Sequence, residues 1–254
     1  MTIPRRPTAP GARPAATHHV WYAAYGSNMH RERLACYLTG GRPSGGTRTY
    51  PGCRDPRPPG RSLPLMLPGL LYFATESPVW KGGRAFYDPD AGGETPARAY
   101  LLTVSQFSDV AAQEMYREPG TDLDLSGVLR HGRARLGPGR YETLVCPGLL
   151  DGHPVVTFTA PWRSGEVEGN PPSAAYLRHL ASGLMAAHGW SAEEAAGFLA
   201  TRPGAGAHWT PGRVADLVAR SGPGVPAGPP PDRPDRRRDA ADGQGRTATV
   251  QPGL

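Results

Sequence analysis

Residues 20–29 read VWYAAYGSNM, and this stretch decides the fold. Val20 to Tyr25 form a short apolar and aromatic run, which is typical of a buried strand. Gly26 ends the run at a turn, and Asn28 is a natural N-cap for a helix whose good formers continue to Leu38. The stretch therefore predicts a strand, a tight turn and a helix in that order.

The turn Gly26-Ser27-Asn28 also predicts a binding site for an anion. The first backbone N–H groups of a helix have no acceptor within the helix, and the helix dipole favours negative charge there. A glycine that makes a turn and an asparagine that only caps are the simpler interpretation of these residues alone. The hypothesis of a site therefore depends on a second chemical group elsewhere in the chain.

That second group is Glu114, within a helix that the pattern predicts over residues 106–116 with Ser105 as its N-cap. Phe107 and Val110 fall on one apolar face of this helix, and Glu114 continues the same face four residues after Val110. A carboxyl group in that position can accept a proton and return it, as a general acid–base must. The alternative is a helix residue that turns to solvent near a frayed end.

Further strands and helices follow from the periodicity of the remaining chain. The predicted strands are residues 69–74, 84–87, 97–104, 141–145 and 154–159, the first two as a hairpin. The predicted helices are residues 173–188 ending at Gly189, a helix opened by a capping box of Ser191 and Glu194, and a short helix from Thr210 to Ser221.

The ends of the chain differ in composition from its middle. The 254 residues include 34 Gly and 30 Pro, which concentrate toward the ends, where few apolar side chains could offset the entropy of ordering. We predict a disordered lead at residues 1–18, one domain at 19–202, and a Pro/Gly/Arg-rich, mostly disordered tail at 203–254. Residues 40–64 lack periodicity and are predicted to be an irregular insertion in the domain.

The net charge of +6 does not point to a nucleic-acid partner. Lys81 is the only lysine, and the arginines of the tail alternate with aspartates instead of forming a polybasic arm. Neither a basic helix nor an aromatic stacking platform accompanies the charge, which argues against nucleic-acid binding.

The cysteines and histidines do not follow a metal or disulfide pattern. Cys36, Cys53 and Cys146 are widely spaced and odd in number, which favours a reducing compartment and predicts a cytoplasmic protein. The eight histidines form no H-E-x-x-H motif, so we predict neither a metal nor a cofactor, and the same scatter argues against a metal-dependent deacetylase. No apolar stretch reaches the length of a membrane span.

Several motifs in one order resemble the gamma-glutamyl cyclotransferase-like family. That family carries a Y-G-S-N-L loop between strand and helix, a W-x-G-G element, a strand, and a helix with one catalytic glutamate. The corresponding segments here are Tyr25 to Met29, Trp80 to Gly83, Ala97 to Val104, and Glu114. The segment Pro172 to Tyr176 also resembles the family, in which the tyrosine of P-S-x-x-Y lies near the substrate.

The resemblance implies a mixed α/β (α+β) domain, in which a small, mostly antiparallel β-barrel is flanked by helices. It implies a cofactor-free enzyme that cyclises a gamma-glutamyl amide and releases 5-oxoproline and a free amine. Glu114 would be the catalytic residue. The implied substrate-binding residues are Tyr25, Gly26, Ser27, Asn28 and Tyr176.

The sequence departs from the family pattern at three places, of which the first is a mild exchange and the other two concern the substrate more than the fold. Met29 stands in place of the usual Leu, Met115 follows the glutamate where Gly is common, and residues 40–64 enlarge the domain. The alternative function is a non-catalytic module that binds a small molecule or regulates another protein on the same fold. The amine that would leave and the oligomeric state are left open.

Overall fold

A computed structural model describes residues 3–8, 17–43 and 48–220. The disorder predicted for the far tail therefore falls on residues outside the described ones. The strands are β1 (His19–Ala24), β2 (Ser62–Pro68), β3 (Leu70–Ala74), β4 (Arg84–Asp88), β5 (Glu94–Thr103), β6 (Arg133–Arg135), β7 (Thr143–Leu150) and β8 (His153–Thr159). The helices are α1 (Arg31–Thr39), α2 (Val104–Glu114), α3 (Ser126–His131), α4 (Ala174–His188), α5 (Ala192–Ala200) and α6 (Pro211–Ala219).

Six strands form one sheet in the order β2-β5-β1-β8-β7-β6. Every neighbouring pair is antiparallel except β1 and β8, which run parallel. The predicted mixed α/β class with a mostly antiparallel sheet is therefore confirmed. Closure into a barrel stays a prediction, because the described strand pairing ends at β2 and β6.

The remaining two strands form the predicted hairpin, β3 with β4. Thr159 joins this hairpin to β8, since its Oγ1 accepts from the Tyr87 N–H at 3.0 Å and donates to the Tyr87 carbonyl at 2.7 Å. Thr95 Oγ1 donates to the Gly69 carbonyl at 3.0 Å and joins the hairpin to β5. The hairpin is thus fixed to the main sheet at both sides.

β1 lies at the centre of the sheet and alternates between two cores. Trp21 and Ala23 pack into the core beneath α4, α5 and α6, whereas Val20 and Tyr22 pack into the core beneath α1, α2 and α3. The chain that leaves β1 therefore emerges between the two layers of helices. None of the helices within the described ranges is long and apolar enough to cross a membrane.

The helix caps agree with the sequence at α4, α5 and α6 and differ at α1 and α2. Gly189 ends α4 as predicted, and Ser191 and Thr210 accept the N-terminal hydrogen bonds expected of the caps of α5 and α6; Ser173 accepts one at the start of α4. At α2 the cap is Thr103, not Ser105, because Thr103 and Gln106 form a reciprocal capping box. Sequence reasoning missed β2, β6 and α3, which are short or lie in Pro- and Gly-rich surroundings.

Both predicted domain boundaries differ from the described structure. Residues 3–8, assigned to the lead, contact the sheet: the Arg5 N–H donates to the Pro64 carbonyl at 3.1 Å and the Thr8 N–H to the Leu149 carbonyl at 2.9 Å. Backbone pairing does not require apolar side chains, so composition does not reveal it. Beyond the predicted boundary at residue 202, α6 still belongs to the fold, since Val214 is fully buried.

Of the predicted insertion the structure describes residues 40–43 and 48–64, and these form no helix or named strand until β2 begins at Ser62, yet side chains and backbone anchor them. The Cys53 N–H donates to the Leu38 carbonyl at 2.9 Å, at the end of α1. Asp109 on α2 accepts from the backbone N–H of Arg54 at 2.8 Å and pairs with its guanidinium at 3.0 Å. The described part of the insertion is therefore irregular but fixed to both helices.

Candidate functional site

The chain leaving β1 borders a cleft of about 350 Å³ that is open to solvent. All six residues that the sequence singles out line this cleft, although they come from α2, α4 and the turn between β1 and α1. We call it the loop cleft. Its lining residues are Tyr22, Tyr25, Gly26, Ser27, Asn28, Ala85, Glu114, Tyr141, Phe158 and Tyr176.

Asn28 does not cap α1 as predicted. It lies in a short 3₁₀ turn, Ser27–Met29, and the N-cap of α1 is His30 with no side-chain hydrogen bond. The tighter turn directs Asn28 inward, where it is only 3% exposed. The sequence therefore indicated the right residue near a helix start but the wrong role for its side chain.

The side-chain amide of Asn28 connects β1 to α2. Its Nδ2 donates to Glu114 Oε1 at 3.0 Å and to Tyr22 Oη at 3.2 Å. No other described group lies within hydrogen-bonding distance of its Oδ1, although that atom is buried. A buried oxygen without a donor has a free-energy cost, so the cleft is suited to a ligand that brings an N–H or O–H group.

Glu114 is the last residue of α2 and is half-buried at the cleft. Burial raises the pKa of Tyr22 and Tyr37 well above the ordinary phenol value, and the nearby Glu114 charge raises both further. Burial is also the main cause that raises the pKa of Tyr176. The phenols around the carboxyl group therefore remain protonated at neutral pH and can act as hydrogen-bond donors.

Gly26 leaves space in the cleft beside Tyr176. A Cβ atom at Gly26 would lie 3.7 Å from Tyr176 Oη, an ordinary van der Waals distance, so a side chain there would occupy ligand space without a clash. Tyr176 itself is held by Trp80, whose ring stacks on it with centroids 5.1 Å apart. The loop and α4 thus form opposite walls of the cleft.

Tyr25 lines the wall of the loop cleft, but its hydroxyl is not available to a ligand. Its hydroxyl donates to the Phe158 carbonyl at 2.8 Å, and its ring is buried against Tyr87. Tyr25 lines the loop cleft, but its hydroxyl is already bound to the backbone of β8.

Two histidines that sequence reasoning missed support the turn. Because carbonyl oxygens only accept, His179 Nε2 donates to the Ser27 carbonyl at 3.1 Å, and His30 Nε2 donates to the His179 carbonyl at 2.9 Å. Burial lowers the pKa of both, that of His179 to about 3, so both rings are neutral at neutral pH. A signal was present, since His179 follows Tyr176 by three residues on the same helical face.

The W-x-G-G element, residues 80–83, packs closely against the segment that leads into α4. A Cβ atom at Gly83 would lie 1.8 Å from the Asn170 carbonyl oxygen, which only a glycine avoids. The Gly83 N–H donates to the Pro171 carbonyl at 2.8 Å, just before α4 begins. Close approach at Gly83 therefore allows Trp80 to reach Tyr176.

A second cleft of about 450 Å³ adjoins the first. We call it the arginine cleft because Arg33, Arg48 and Arg84 line it. The residues that line both clefts are Ser27, Glu114, Tyr141 and Tyr176. The two clefts therefore share a wall that includes the carboxyl group.

Metal ligands do not gather in the part of the chain that the structure describes. Among residues 3–8, 17–43 and 48–220, no group of three or more His, Cys, Asp or Glu side chains is placed to hold a metal ion.

No protein-family model matches the sequence. A curated relative, histone deacetylase 5 of Arabidopsis thaliana, is 34% identical over 198 residues, which are 71% of this chain and 30% of that protein. The chain thus spans less than a third of the length of the relative that it matches.

Solved structures with a similar chain path have low sequence identity. An uncharacterized protein from Homo sapiens is 17% identical with a TM-score of 0.43, and the match covers 80% of this chain and 99% of that one. A gamma-glutamyl cyclotransferase is 16% identical with a TM-score of 0.41 and the same coverage. YkqA from Bacillus subtilis is 16% identical with a TM-score of 0.36, over 74% of this chain and 56% of that one.

Proposed function

We propose that the protein is a gamma-glutamyl cyclotransferase-type enzyme acting on a small-molecule gamma-glutamyl amide. The observation that carries the proposal is the hydrogen bond of 3.0 Å between Asn28 Nδ2 and Glu114 Oε1 in a cleft that all six predicted residues line. The bond joins the turn after β1 to the end of α2, the two segments to which the resemblance assigns substrate binding and catalysis. It leaves a carboxyl group beside a buried, unpartnered oxygen.

In the proposed reaction the substrate cyclises on itself. The α-carboxylate lies against the turn, where the N–H groups of Ser27 and Asn28 precede the first closed helical turn and have no acceptor in it. Asn28 Oδ1 accepts from the α-amine, and Glu114 takes the proton that the amine loses as it attacks the γ-carbonyl carbon. A new C–N bond closes the lactam.

The second half of the reaction breaks the original amide bond. Protonated phenols of the cleft other than Tyr25 and Tyr141, whose hydroxyls already donate to backbone carbonyls, donate to the oxygen that becomes negative in the tetrahedral intermediate. Glu114 returns its proton to the departing nitrogen, so the products are 5-oxoproline and a neutral amine. Because the reaction is intramolecular, positioning supplies much of the rate, and the proposed chemistry draws only on these side chains and the backbone.

The alternative proposal is a module that binds a similar ligand without turnover. The half-buried Glu114 favours the enzyme, since partial burial of a carboxyl group costs free energy that binding alone does not require. A cytoplasmic location accompanies either proposal as a prediction from the cysteines.

Incubation with a panel of gamma-glutamyl compounds, with 5-oxoproline as the readout, tests the enzyme against the module. We expect 5-oxoproline from at least one compound with the wild-type protein and a much slower rate with Glu114→Gln. Tight binding of a compound that is never converted would favour the module. Equal rates in the two proteins would remove Glu114 from the mechanism.

A further inference from the structure

The arginine cleft contains more positive charge than the reaction needs. Its three guanidinium groups face one carboxylate, Glu114, which is the only acidic side chain among the described lining residues. Elsewhere in the described structure arginines pair with carboxylates, for example Arg54 with Asp109 and Asp122. Within the described residues, none of the three cleft arginines forms such a pair.

Neutral contacts hold these guanidinium groups in place. Arg33 donates from Nε to Ser27 Oγ at 3.1 Å and from Nη2 to Tyr50 Oη at 2.9 Å. Arg84 is buried and donates to the Glu76 carbonyl. A guanidinium has five N–H donors, so each of these two keeps donors for a ligand.

Arg48 lies between two aromatic rings at the same cleft. Its guanidinium carbon is 5.0 Å from the ring centre of Tyr50 and 4.4 Å from that of Tyr116. Stacking of this kind fixes the plane of a guanidinium and leaves its edge free for a carboxylate. The three charges are therefore organised before a ligand binds, which lowers the cost of binding.

We propose that the arginine cleft binds the leaving group of the substrate, and that this leaving group carries two carboxylates, as an acidic amino acid or the end of an acidic peptide does. The inference rests on the proposed function, which puts the scissile amide beside Glu114 in the shared wall. A substrate with its gamma-glutamyl part in the loop cleft extends across that wall into the arginine cleft. Three arginines and one glutamate give the cleft a formal charge of +2, which two carboxylates of the leaving group would balance.

Three gamma-glutamyl compounds that differ in the charge of the leaving group test the proposal. Gamma-glutamyl-glutamate carries two carboxylates there, gamma-glutamyl-glutamine has nearly the same shape with one, and gamma-glutamyl-isoamylamide has none. Calorimetry with Glu114→Gln measures binding without turnover. We expect the affinity to fall by about tenfold for each carboxylate removed.

Arg48→Gln, added to the same variant, is expected to bring gamma-glutamyl-glutamate close to the affinity of the glutamine compound. Arg57→Gln is the matched control, because Arg57 is exposed and pairs with Asp55 away from both clefts. Affinities within twofold for all three compounds, or equal effects of the two arginine variants, would overturn the proposal.

Turnover of the same compounds by the wild-type protein separates this proposal from the proposed function. Equal efficiency of 5-oxoproline release from all three would support cyclisation and contradict the acidic leaving group. Charge-graded binding without any 5-oxoproline would support the arginine cleft and contradict cyclisation. Efficiency that falls with each lost carboxylate would support both.

Discussion

The loop cleft and the arginine cleft share a wall but differ in the chemistry of their remaining residues. The loop cleft surrounds one carboxyl group with neutral phenols, an amide and backbone, and its polar groups come from the ends of helices and strands. The arginine cleft has three positive side chains, one of them at residue 48 in the irregular insertion. The difference indicates that one cleft is suited to a proton transfer and the other to selecting the charge of a ligand.

The largest expected effect concerns the shared wall. Glu114→Gln should lower 5-oxoproline release by about 10² to 10⁴, because the amide keeps the shape and the bond to Asn28 but cannot carry the proton. The decrease should be the same for every gamma-glutamyl compound if the loop cleft alone performs the chemistry. Steady-state rates across the panel measure it.

Glu118→Gln is the control for that variant, since Glu118 is exposed beyond the end of α2. It should leave the rate unchanged. If Glu114→Gln slowed the reaction of acidic substrates only, the assignment of proton transfer to the loop cleft and of charge selection to the arginine cleft would be wrong.

The next largest effect is expected from a substitution at Gly26, on the wall of the loop cleft that the turn forms. Gly26→Ala places a methyl group in van der Waals contact with Tyr176 Oη, at 3.7 Å. We expect KM to rise by about tenfold for all substrates, with little change in melting temperature, because ligand space is lost without a clash. Kinetics and a thermal melt on the same preparation measure both quantities.

Gly83→Ala makes the comparison sharper, since the same methyl group there would lie 1.8 Å from the Asn170 carbonyl oxygen. It should lower the free energy of unfolding by about 1 to 3 kcal/mol or more, through overpacking. A Gly26→Ala protein that melts as early as the Gly83→Ala protein would identify Gly26 as scaffold.

A smaller effect depends on pH and involves both clefts. His179 holds the Ser27 carbonyl, and its ring also packs against Trp80 of the arginine cleft. Its pKa is lowered by burial to about 3, so below the ordinary value near 6.5 the unfolded chain binds a proton that the folded protein does not. Stability is therefore present at neutral pH and decreases as the pH falls, by up to about 1.4 kcal/mol per pH unit.

Urea unfolding at pH 7 and pH 5 measures this loss. His179→Gln should be less stable at pH 7 and should show a shallower dependence on pH than the wild-type protein. An unchanged slope in the variant would assign the acid sensitivity to other groups, with His30 as the first candidate because burial lowers its pKa as well.

The smallest effect is expected at Tyr25. Tyr25→Phe removes the hydroxyl that donates to the Phe158 carbonyl, which should cost about 1 kcal/mol of stability. Because that hydroxyl already has a partner, kcat and KM should stay within about threefold of the wild-type values. A large loss of turnover with a normal melting temperature would show instead that the Tyr25 hydroxyl takes part in substrate binding or turnover.

The sequence by itself determined most of the regular elements and the chemical groups of the loop cleft. The apolar run that becomes β1, the capping box of Ser191 and Glu194, and Glu114 on an apolar helix face are local patterns. Each depends on residues within a few positions of one another, so backbone geometry translates the pattern directly into structure. β6 has only three residues, and the alternating leucines of β2 are interrupted by Pro64 and followed by Pro68, so both strands were missed.

Only the tertiary structure decided how distant groups meet. Asn28 and Glu114 are 86 residues apart, and the inward turn of the Asn28 side chain follows from a 3₁₀ turn between two layers of helices. Arg33, Arg48 and Arg84 belong to α1, an irregular segment and β4, and no spacing in the sequence relates them. Their meeting depends on how the helices and the hairpin pack on the sheet, because contacts between distant residues are set by packing and not by the period of any one element.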